Sequence, residues 1–146
     1  MEAPFLPPSG PIVIKPWQAS MAHVAVIYMG GTVGMKPNAA GALEPSPGYL
    51  AERMAAMHEF ERDAMPGVSL FELGPPVDSS DMGPADWARL AATIEELYLD
   101  YDGFTVIMGT DTMAYAASAL SFMREARDPR GWPRTSPLRP KADPAP

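Results

Sequence analysis

The stretch that decides the fold of this chain is residues 104–113, which read FTVIMGTDTM. Phe104 and the four apolar or β-branched residues after it are typical of a short buried strand, which ends abruptly at Gly109. From residue 113 to about residue 124, small and apolar residues recur at helical spacing. Residues 110–112 therefore lie where a parallel strand leads into a helix. In open α/β sheets, this carboxyl edge is where ligands bind.

A second unit of a strand followed by glycines lies upstream, at residues 23–34, which read HVAVIYMGGTVG. Gly30 and Gly31 allow a tight turn and leave backbone N–H groups free to face a ligand oxygen. Thr32 follows directly, and a hydroxyl beside such donors suits a nucleophile that attacks a carbonyl, because the donors hold the oxyanion that forms. The alternative is that Thr32 only caps the following turn. The two strand ends each carry a threonine, and we expect them to face one pocket.

The remaining pattern completes a β-α-β-α-β-α order, which predicts a parallel sheet with right-handed crossovers. The fold class is therefore α/β, a three-layer, Rossmann-like sheet with helices. Pro84 is a helix start signal, and the helix after it has one continuous apolar face. The predicted strands are 23–29, 68–73 and 104–108, and the predicted helices are 49–58, 84–99 and 112–124.

Two polar clusters allow both a structural and a functional interpretation. Thr110 and Asp111 are favoured helix caps, but the Asp111 carboxylate could also bind a substrate ammonium group. Residues 78–81, with the sequence DSSD, precede a helix, so capping is the simpler interpretation. Serines and free amides at a helix start also form a carboxylate site. The glycine turn reads G-G-x-x-G and lacks the spacing of a dinucleotide loop.

Composition excludes several classes of protein. The chain has no cysteine and two isolated histidines, so we expect no thiol nucleophile and no Cys-based or His-rich metal site. No apolar run approaches the ~20 residues of a membrane span, and prolines interrupt the first 20 residues, so a secretory signal is not predicted. We therefore expect a cytoplasmic protein. The net charge of −7 divides into −10 over residues 1–123 (five Lys+Arg, fifteen Asp+Glu) and +3 over residues 124–146 (six against three). Such an acidic body argues against a nucleic-acid partner.

The composition along the chain predicts three regions. Residues 1–22 are proline-rich and without period, and we expect a disordered leader. Residues 23–124 form the α/β domain. Residues 125–146 form a Pro/Arg-rich tail, which we expect to be disordered because it cannot bury enough apolar surface. A helix of the preceding kind should lead into another buried strand, and none follows.

Three segments of the domain resemble one family, the L-asparaginases. Residues 28–35 (YMGGTVGM) resemble its first threonine motif, residues 108–115 (MGTDTMAY) its second, and residues 78–82 (DSSDM) its substrate-binding serine loop. Together with residues 117–123 (ASALSFM), the sequence of these motifs is most similar to that of the cytoplasmic, type I bacterial enzymes. The resemblance extends over about residues 23–123.

This resemblance implies a two-domain α/β amidohydrolase that converts L-asparagine to aspartate and ammonia without a cofactor. The chain would then be a truncated N-terminal domain, with the C-terminal domain absent. Thr32 would be the nucleophile that forms an acyl-enzyme, and Thr110 and Asp111 would act with a lysine to move protons. Asp111 would also help bind the substrate's α-ammonium group. The α-carboxylate would be held by the serine loop, namely Asp78, Ser79 and Ser80. Full-length relatives would be homo-oligomers, and no membrane is implied.

The chain departs from the family pattern at its proton-transfer residues. Many bacterial members have a tyrosine at the position of Ala42, and the family lysine lies beyond residue 123, where Lys141 is no credible replacement. The expected function is thus a threonine-dependent asparaginase with weak or no activity alone. One alternative is a non-catalytic truncated isoform or binding module that associates with a full-length relative. A phosphate- or nucleotide-binding α/β module is a third hypothesis, disfavoured by the glycine spacing.

Overall fold

The computed structural model of this protein describes residues 10–125, and within that range it has six strands and three helices. The strands are β1 (Ile12–Lys15), β2 (His23–Tyr28), β3 (Met35–Pro37), β4 (Leu43–Pro45), β5 (Gly67–Glu72) and β6 (Gly103–Ile107). The helices are α1 (Tyr49–Ala55), α2 (Pro84–Leu97) and α3 (Met113–Glu125). Short 3-10 turns occupy Thr32–Gly34 and His58–Glu61.

The main sheet has the strand order β1-β5-β2-β6, so β2 lies between the other two strands predicted from the sequence. β2 pairs in parallel with both, and Ile27 lies opposite Phe71 on one side and Val106 on the other. The three predicted parallel strands are confirmed. Since α1 connects β2 to β5 and α2 connects β5 to β6, the predicted alternation of strands and helices is confirmed as well.

The prediction of a disordered leader is wrong for β1, which pairs antiparallel with β5 and places Ile12 opposite Leu70. Three consecutive β-branched residues, 12–14, favour an extended backbone. The prolines on either side of β1 confine it to the edge of the sheet, where a missing N–H is tolerated. The sheet is therefore mixed rather than wholly parallel. Residues 1–9 and 126–146 lie outside the described residues, and so does nearly all of the predicted tail.

Helices cover both faces of the sheet, which confirms the three layers. On one face, α1 packs on β2 and β5 through these buried residues: Leu50, Ala51, Met54, Val26, Tyr28, Val68 and Leu70. On the other face, α2 packs on the same strands through a larger cluster that includes Leu90, Ile94, Leu97, Ala25, Ile27 and Phe71. Residues of β2 alternate between the two clusters, as the pleat of a strand requires.

The helix limits differ from the predicted ones mainly at α1, which we expected to reach residue 58. It ends at Ala55 because Met57 has an extended backbone and a 3-10 turn begins at His58. α2 begins at Pro84, as predicted. The Asp86 carboxylate accepts the backbone N–H of Gly83 at 3.0 Å, which stabilises this start. In the part of the chain that the structure describes, no helix is long and apolar enough to span a membrane.

α3 is covered much less than the other helices. It packs beside α2, and Leu120 contacts the larger core cluster. Ala116 is its only buried residue between positions 113 and 123. Tyr115 and Phe122 are 66% and 73% exposed, although both are large apolar side chains.

Candidate active site

The site residues predicted from the sequence follow three neighbouring strands at the same edge of the sheet. Thr32 comes after β2, residues 78–81 come after β5, and residues 110–112 come after β6. Because β2 lies between β5 and β6, the turn that carries Thr32 lies between the other two loops.

The glycines after β2 bring the three loops into backbone contact. Gly31 has φ +99°, and a Cβ atom built there would lie 2.9 Å from the backbone nitrogen of Gly109, the residue before Thr110. Gly30 has φ +141°, and a Cβ atom there would overlap the backbone of Val77, the residue before Asp78. Both positions thus need glycine for their conformation and for the close approach. Val77 also donates its N–H to the carbonyl of Met29 at 3.0 Å.

Ser79 joins the loop after β5 to the loop after β6. Its hydroxyl donates to Oδ2 of Asp111 at 2.8 Å, and its carbonyl accepts the hydroxyl of Thr112 at 2.9 Å. The backbone N–H of Asp111 points back to the Ser79 hydroxyl, 3.4 Å away. A Cβ atom at Gly109 would overlap the Ser79 side chain, which is only 4% exposed. Ser79 therefore fixes the Asp111 carboxylate from inside the protein.

Asp78 and Ser80 form a separate, exposed turn. Oδ1 of Asp78 accepts the backbone N–H of Ser80 at 3.0 Å and its hydroxyl at 2.9 Å. These two hydrogen bonds stabilise the carboxylate and lower the pKa of Asp78 below its ordinary value of 3.8. The serine loop was predicted as one set of ligands. The structure divides it into an inward Ser79 and an outward Asp78–Ser80 pair.

Thr32 is exposed at the start of its 3-10 turn, which closes with the N–H of Gly34 bonded to the carbonyl of Gly31 at 3.2 Å. The buried Tyr28 hydroxyl lies beneath this turn and donates to the same carbonyl, also at 3.2 Å. A Cβ atom at Gly34 would overlap the Tyr28 hydroxyl. Tyr28 thus supports the turn that presents Thr32.

Sequence reasoning missed Tyr28. Burial raises the pKa of Tyr28 above 10.0, and the nearby Glu72 raises it further. The hydroxyl therefore stays protonated at neutral pH and acts as a donor. A tyrosine near the end of an apolar strand could have indicated this role, because a buried tyrosine hydroxyl needs a hydrogen-bond partner.

Ala42 lies at the tip of the β3–β4 hairpin, which directly follows the Thr32 turn. Asn38 holds this tip through two hydrogen bonds. Its side-chain carboxamide oxygen accepts the backbone N–H of Ala42 at 3.0 Å, and its backbone N–H donates to the Ala42 carbonyl at 2.8 Å. Near the base of the hairpin, Ser46 donates its N–H to the Gly34 carbonyl at 3.3 Å. The position of the expected tyrosine is thus on a hairpin attached to the Thr32 turn, but it carries only a methyl group.

Thr110 and Asp111 are exposed at the start of α3, where the N–H of Met113 bonds to the carbonyl of Thr110 at 3.4 Å. The side chains of Asp111 and Thr112 bond to Ser79 in the loop after β5 and not to the backbone of α3. Within residues 10–125, no three His, Cys, Asp or Glu side chains are grouped so that they could hold a metal ion.

Comparisons with known proteins agree on one family. A sequence model of the family described as "Asparaginase, N-terminal" matches residues 23–129. L-asparaginase 1 of Escherichia coli (strain K12) is 50% identical over 102 residues, which are 70% of this chain and 30% of that protein. A 60 kDa lysophospholipase of Mus musculus is 42% identical over 123 residues, covering 70% of this chain and 22% of that one.

Solved structures give the same result. The crystal structure of L-asparaginase I from Vibrio cholerae matches with a TM-score of 0.62 and 46% sequence identity, covering 70% of this chain and 30% of that chain. The thermostable L-asparaginase from Thermococcus kodakarensis matches with a TM-score of 0.56 and 28% identity. The chain spans about 30% of the length of the L-asparaginase 1 and L-asparaginase I relatives that it matches.

Proposed function

The chain belongs to the asparaginase family and corresponds to its N-terminal portion, and from this premise we propose that it binds L-asparagine and supplies a threonine nucleophile for its hydrolysis. The observation that carries the proposal is the meeting of the three loops at one sheet edge. The Gly31–Gly109 contact and the Ser79–Asp111 hydrogen bond bring together three segments that are far apart in the sequence.

In the proposed reaction, Oγ of Thr32 attacks the side-chain amide carbon of asparagine. A C–O bond forms, the C–N bond breaks, and ammonia leaves with the proton that the hydroxyl has lost. Water then adds to the resulting ester, aspartate leaves, and the hydroxyl of Thr32 regains a proton. We assign the backbone N–H groups of the glycine turn to hold the oxyanion of each step.

The loops on either side of Thr32 are proposed to hold the substrate. Asp111 is exposed and engages Ser79 through Oδ2 only, which leaves Oδ1 to receive the α-ammonium group. The loop of residues 78–80 is assigned to the α-carboxylate. Ser80 is its accessible hydroxyl, whereas the ionised Asp78 would repel an anion and is proposed to orient Ser80 through their hydrogen bonds. Thr110 is proposed to act with Asp111 on the attacking water. The resemblance to type I enzymes supports a cytoplasmic location.

We propose that this chain alone has weak or no activity. A threonine hydroxyl is a weak nucleophile at neutral pH and needs a positioned base. Ala42 cannot serve, and the loss of a general acid–base partner typically lowers the rate about 10²–10⁴-fold. The proposed substrates are asparagine and water. Efficient turnover is proposed to need a proton-transfer group that none of the residues at this sheet edge supplies.

Ammonia release from asparagine tests the proposal. The 146-residue chain is compared with a chimera in which residues after 123 are replaced by the corresponding part of L-asparaginase 1 from E. coli. We expect turnover in the chimera and little or none in the chain alone. Robust turnover by the chain alone would show that another residue activates Thr32.

Variants of the chimera test the nucleophile. Thr32→Ala should abolish turnover, and Thr32→Ser should keep part of it, because only the second retains a hydroxyl. Thr105→Ala is the matched control, since Thr105 is an exposed threonine on β6. Full activity of Thr32→Ala would contradict the assignment. Asparagine binding without turnover by the intact chimera would favour the non-catalytic binding module instead.

A further inference from the structure

The carbonyl of Gly31, the residue directly before Thr32, accepts two hydrogen bonds. One comes from the backbone N–H of Gly34 within the 3-10 turn, and the other comes from the hydroxyl of Tyr28 in the core, each at 3.2 Å. A carbonyl oxygen has two lone pairs, so both of its acceptor positions are occupied. The turn by itself supplies only the first bond, and the second depends on the hydroxyl at position 28.

These two bonds affect the donor strength of the next N–H, because the carbonyl of Gly31 and the N–H of Thr32 belong to one peptide group. Resonance in that group moves electron density from the nitrogen to the oxygen. Donors at the oxygen increase this polarisation, since hydrogen bonds in a chain strengthen one another. Thr32 is exposed and is the first residue of the 3-10 turn, so its N–H has no acceptor within the turn.

The surroundings of Tyr28 keep its hydroxyl directed at the Gly31 carbonyl. The side chain is 1% exposed and its ring packs in the cluster beneath α1, so the hydroxyl needs a partner inside the protein. Glu72 lies opposite Tyr28 on β5, but both of its carboxylate oxygens accept the backbone N–H of Gly48, at 3.2 and 3.0 Å. Burial and the charge of Glu72 raise the pKa of Tyr28, so the hydroxyl remains a donor at neutral pH.

The proposed reaction places a negative charge beside the N–H of Thr32. When Oγ of Thr32 attacks the side-chain amide carbon of asparagine, the oxygen of that amide becomes an oxyanion. Serine proteases use the backbone N–H of the nucleophile as one of two oxyanion donors. A donor that is already polarised stabilises the oxyanion more than it stabilises the neutral amide, which is the condition for a faster reaction.

We propose that Tyr28 is a positioning residue for this reaction: through the Gly31 carbonyl, its hydroxyl strengthens the Thr32 N–H as a donor to the oxyanion and fixes the peptide that carries the nucleophile. The inference rests on the proposed function, because it requires Thr32 to be the nucleophile. Since Tyr28 is buried, it acts through this peptide and not by contact with the substrate. A merely structural role would lower the stability of the turn without a specific effect on the chemical step.

Nuclear magnetic resonance of the full 146-residue chain tests the polarisation of the peptide. Tyr28→Phe removes the hydroxyl and keeps the ring, so the resonances of the Gly31 carbonyl carbon and the Thr32 amide nitrogen should both move upfield. Tyr101→Phe is the matched control, since this tyrosine is 9% exposed and packs against His23, at the other end of β2. The control should leave both resonances in place.

A measurement on the unmodified chain covers the case in which Tyr28→Phe does not fold. The hydroxyl proton of Tyr28 should exchange slowly enough to be observed, because the side chain is buried. It should show a coupling across the hydrogen bond to the carbonyl carbon of Gly31. The absence of that coupling would contradict the proposal.

Ammonia release by the chimera described above tests the effect on the reaction. Tyr28→Phe should lower kcat about 2–10-fold, the range that corresponds to one neutral hydrogen bond. It should change KM by less than about twofold, because the contacts with the substrate are kept. The loss of a direct oxyanion donor would cost more, about 10²–10³-fold. Tyr101→Phe should keep kcat, and urea unfolding curves should show that both variants are folded under the assay conditions.

The outcomes separate this inference from the proposed function. A chimera that releases no ammonia before any substitution would overturn the proposed function and this inference with it. An active chimera in which Tyr28→Phe keeps the full kcat, raises only KM, or loses no more than Tyr101→Phe would overturn this inference alone. Resonances of Gly31 and Thr32 that do not move in Tyr28→Phe would do the same.

Discussion

β2 and β6 are neighbouring parallel strands, each an apolar run followed by glycine and then threonine, yet their environments differ. Residues 25–29, in and just after β2, are all buried, whereas the residues of β6 are half-buried or exposed. β2 has a strand on both sides and helices on both faces, while β6 has one neighbouring strand within residues 10–125. The same local pattern thus predicts a strand in both places, but burial depends on what packs around it.

The difference extends to the loops of the candidate site. The turn after β2 is held from both sides, by Val77 and by Gly109. The loop after β6 is held by Ser79 and by the β2 turn, but its helix is largely uncovered. Substitutions that add or remove apolar atoms should therefore cost more at β2 than within β6, and two pairs of variants test this. A third pair compares the histidine of β2 with an exposed histidine elsewhere.

The largest effect should come from a methyl group added at the end of β2. Gly30→Ala places its Cβ atom against the Val77 backbone at φ +141°. Backbone strain and overpacking together should lower the free energy of unfolding by about 3–5 kcal/mol. Gly103→Ala on β6 meets only a methyl carbon of Val24, 4.0 Å away, and should change it by less than about 1 kcal/mol. Urea unfolding curves measure both, and equal losses would refute the comparison.

A smaller effect should come from truncating one isoleucine on each strand. Ile27 is 0% exposed in the core between β2 and α2, so Ile27→Ala should cost about 2–5 kcal/mol. Ile107 is only partly buried, and Ile107→Ala should cost less than about 2 kcal/mol. The same urea curves give both values. An equal cost at Ile107 would mean that β6 is covered in solution.

The smallest effect should be a pH dependence that comes from the first residue of β2. His23 lies between the rings of Trp17 and Tyr101, and its Nε2 is 3.0 Å from the Ser69 hydroxyl. Burial lowers the pKa of His23 below 6.5, although the carboxylates of Asp102 and Asp100 oppose this shift. The unfolded chain then binds more protons than the folded one at pH just below 6.5, so stability should fall as the pH is lowered through that range.

Urea midpoints at about pH 7.5 and pH 5.5 measure this effect, because both values lie above the range in which ordinary carboxylates titrate. His23→Gln should reduce the difference between the two midpoints. His58→Gln is the control, since that side chain is 91% exposed in its 3-10 turn. The assignment would be wrong if the two variants behaved alike.

Local pattern was sufficient to predict the parallel strands and the start of α2, since these depend on apolar runs and on Pro84. It was insufficient for β1, because three β-branched residues between prolines become a strand only when β5 is available to pair with them. It also placed the end of α1 too late, since the apolar spacing continued to Met57 after the backbone had left the helix.

The candidate site was predictable to the level of loops but not of side-chain direction. Strand ends and the family resemblance indicated that Thr32, Ser79 and Asp111 belong to one edge. Nothing in the sequence distinguishes Ser79 from Ser80, because their different directions depend on the close approach of Gly109 to Ser79. The chemical roles of these residues stay predictions until the variants are assayed.

The space shared by Tyr28 and Gly34 limits how this sequence can change by mutation. Any side chain at position 34 would overlap the Tyr28 ring and hydroxyl, while a smaller residue at position 28 would remove the donor to Gly31 and leave a void under the turn. Either single variant is therefore less stable than the original protein, and it is the intermediate on the way to a double variant. In a mutagenesis library, the two positions are therefore linked: a new residue at position 34 is accepted only in variants that have already changed position 28.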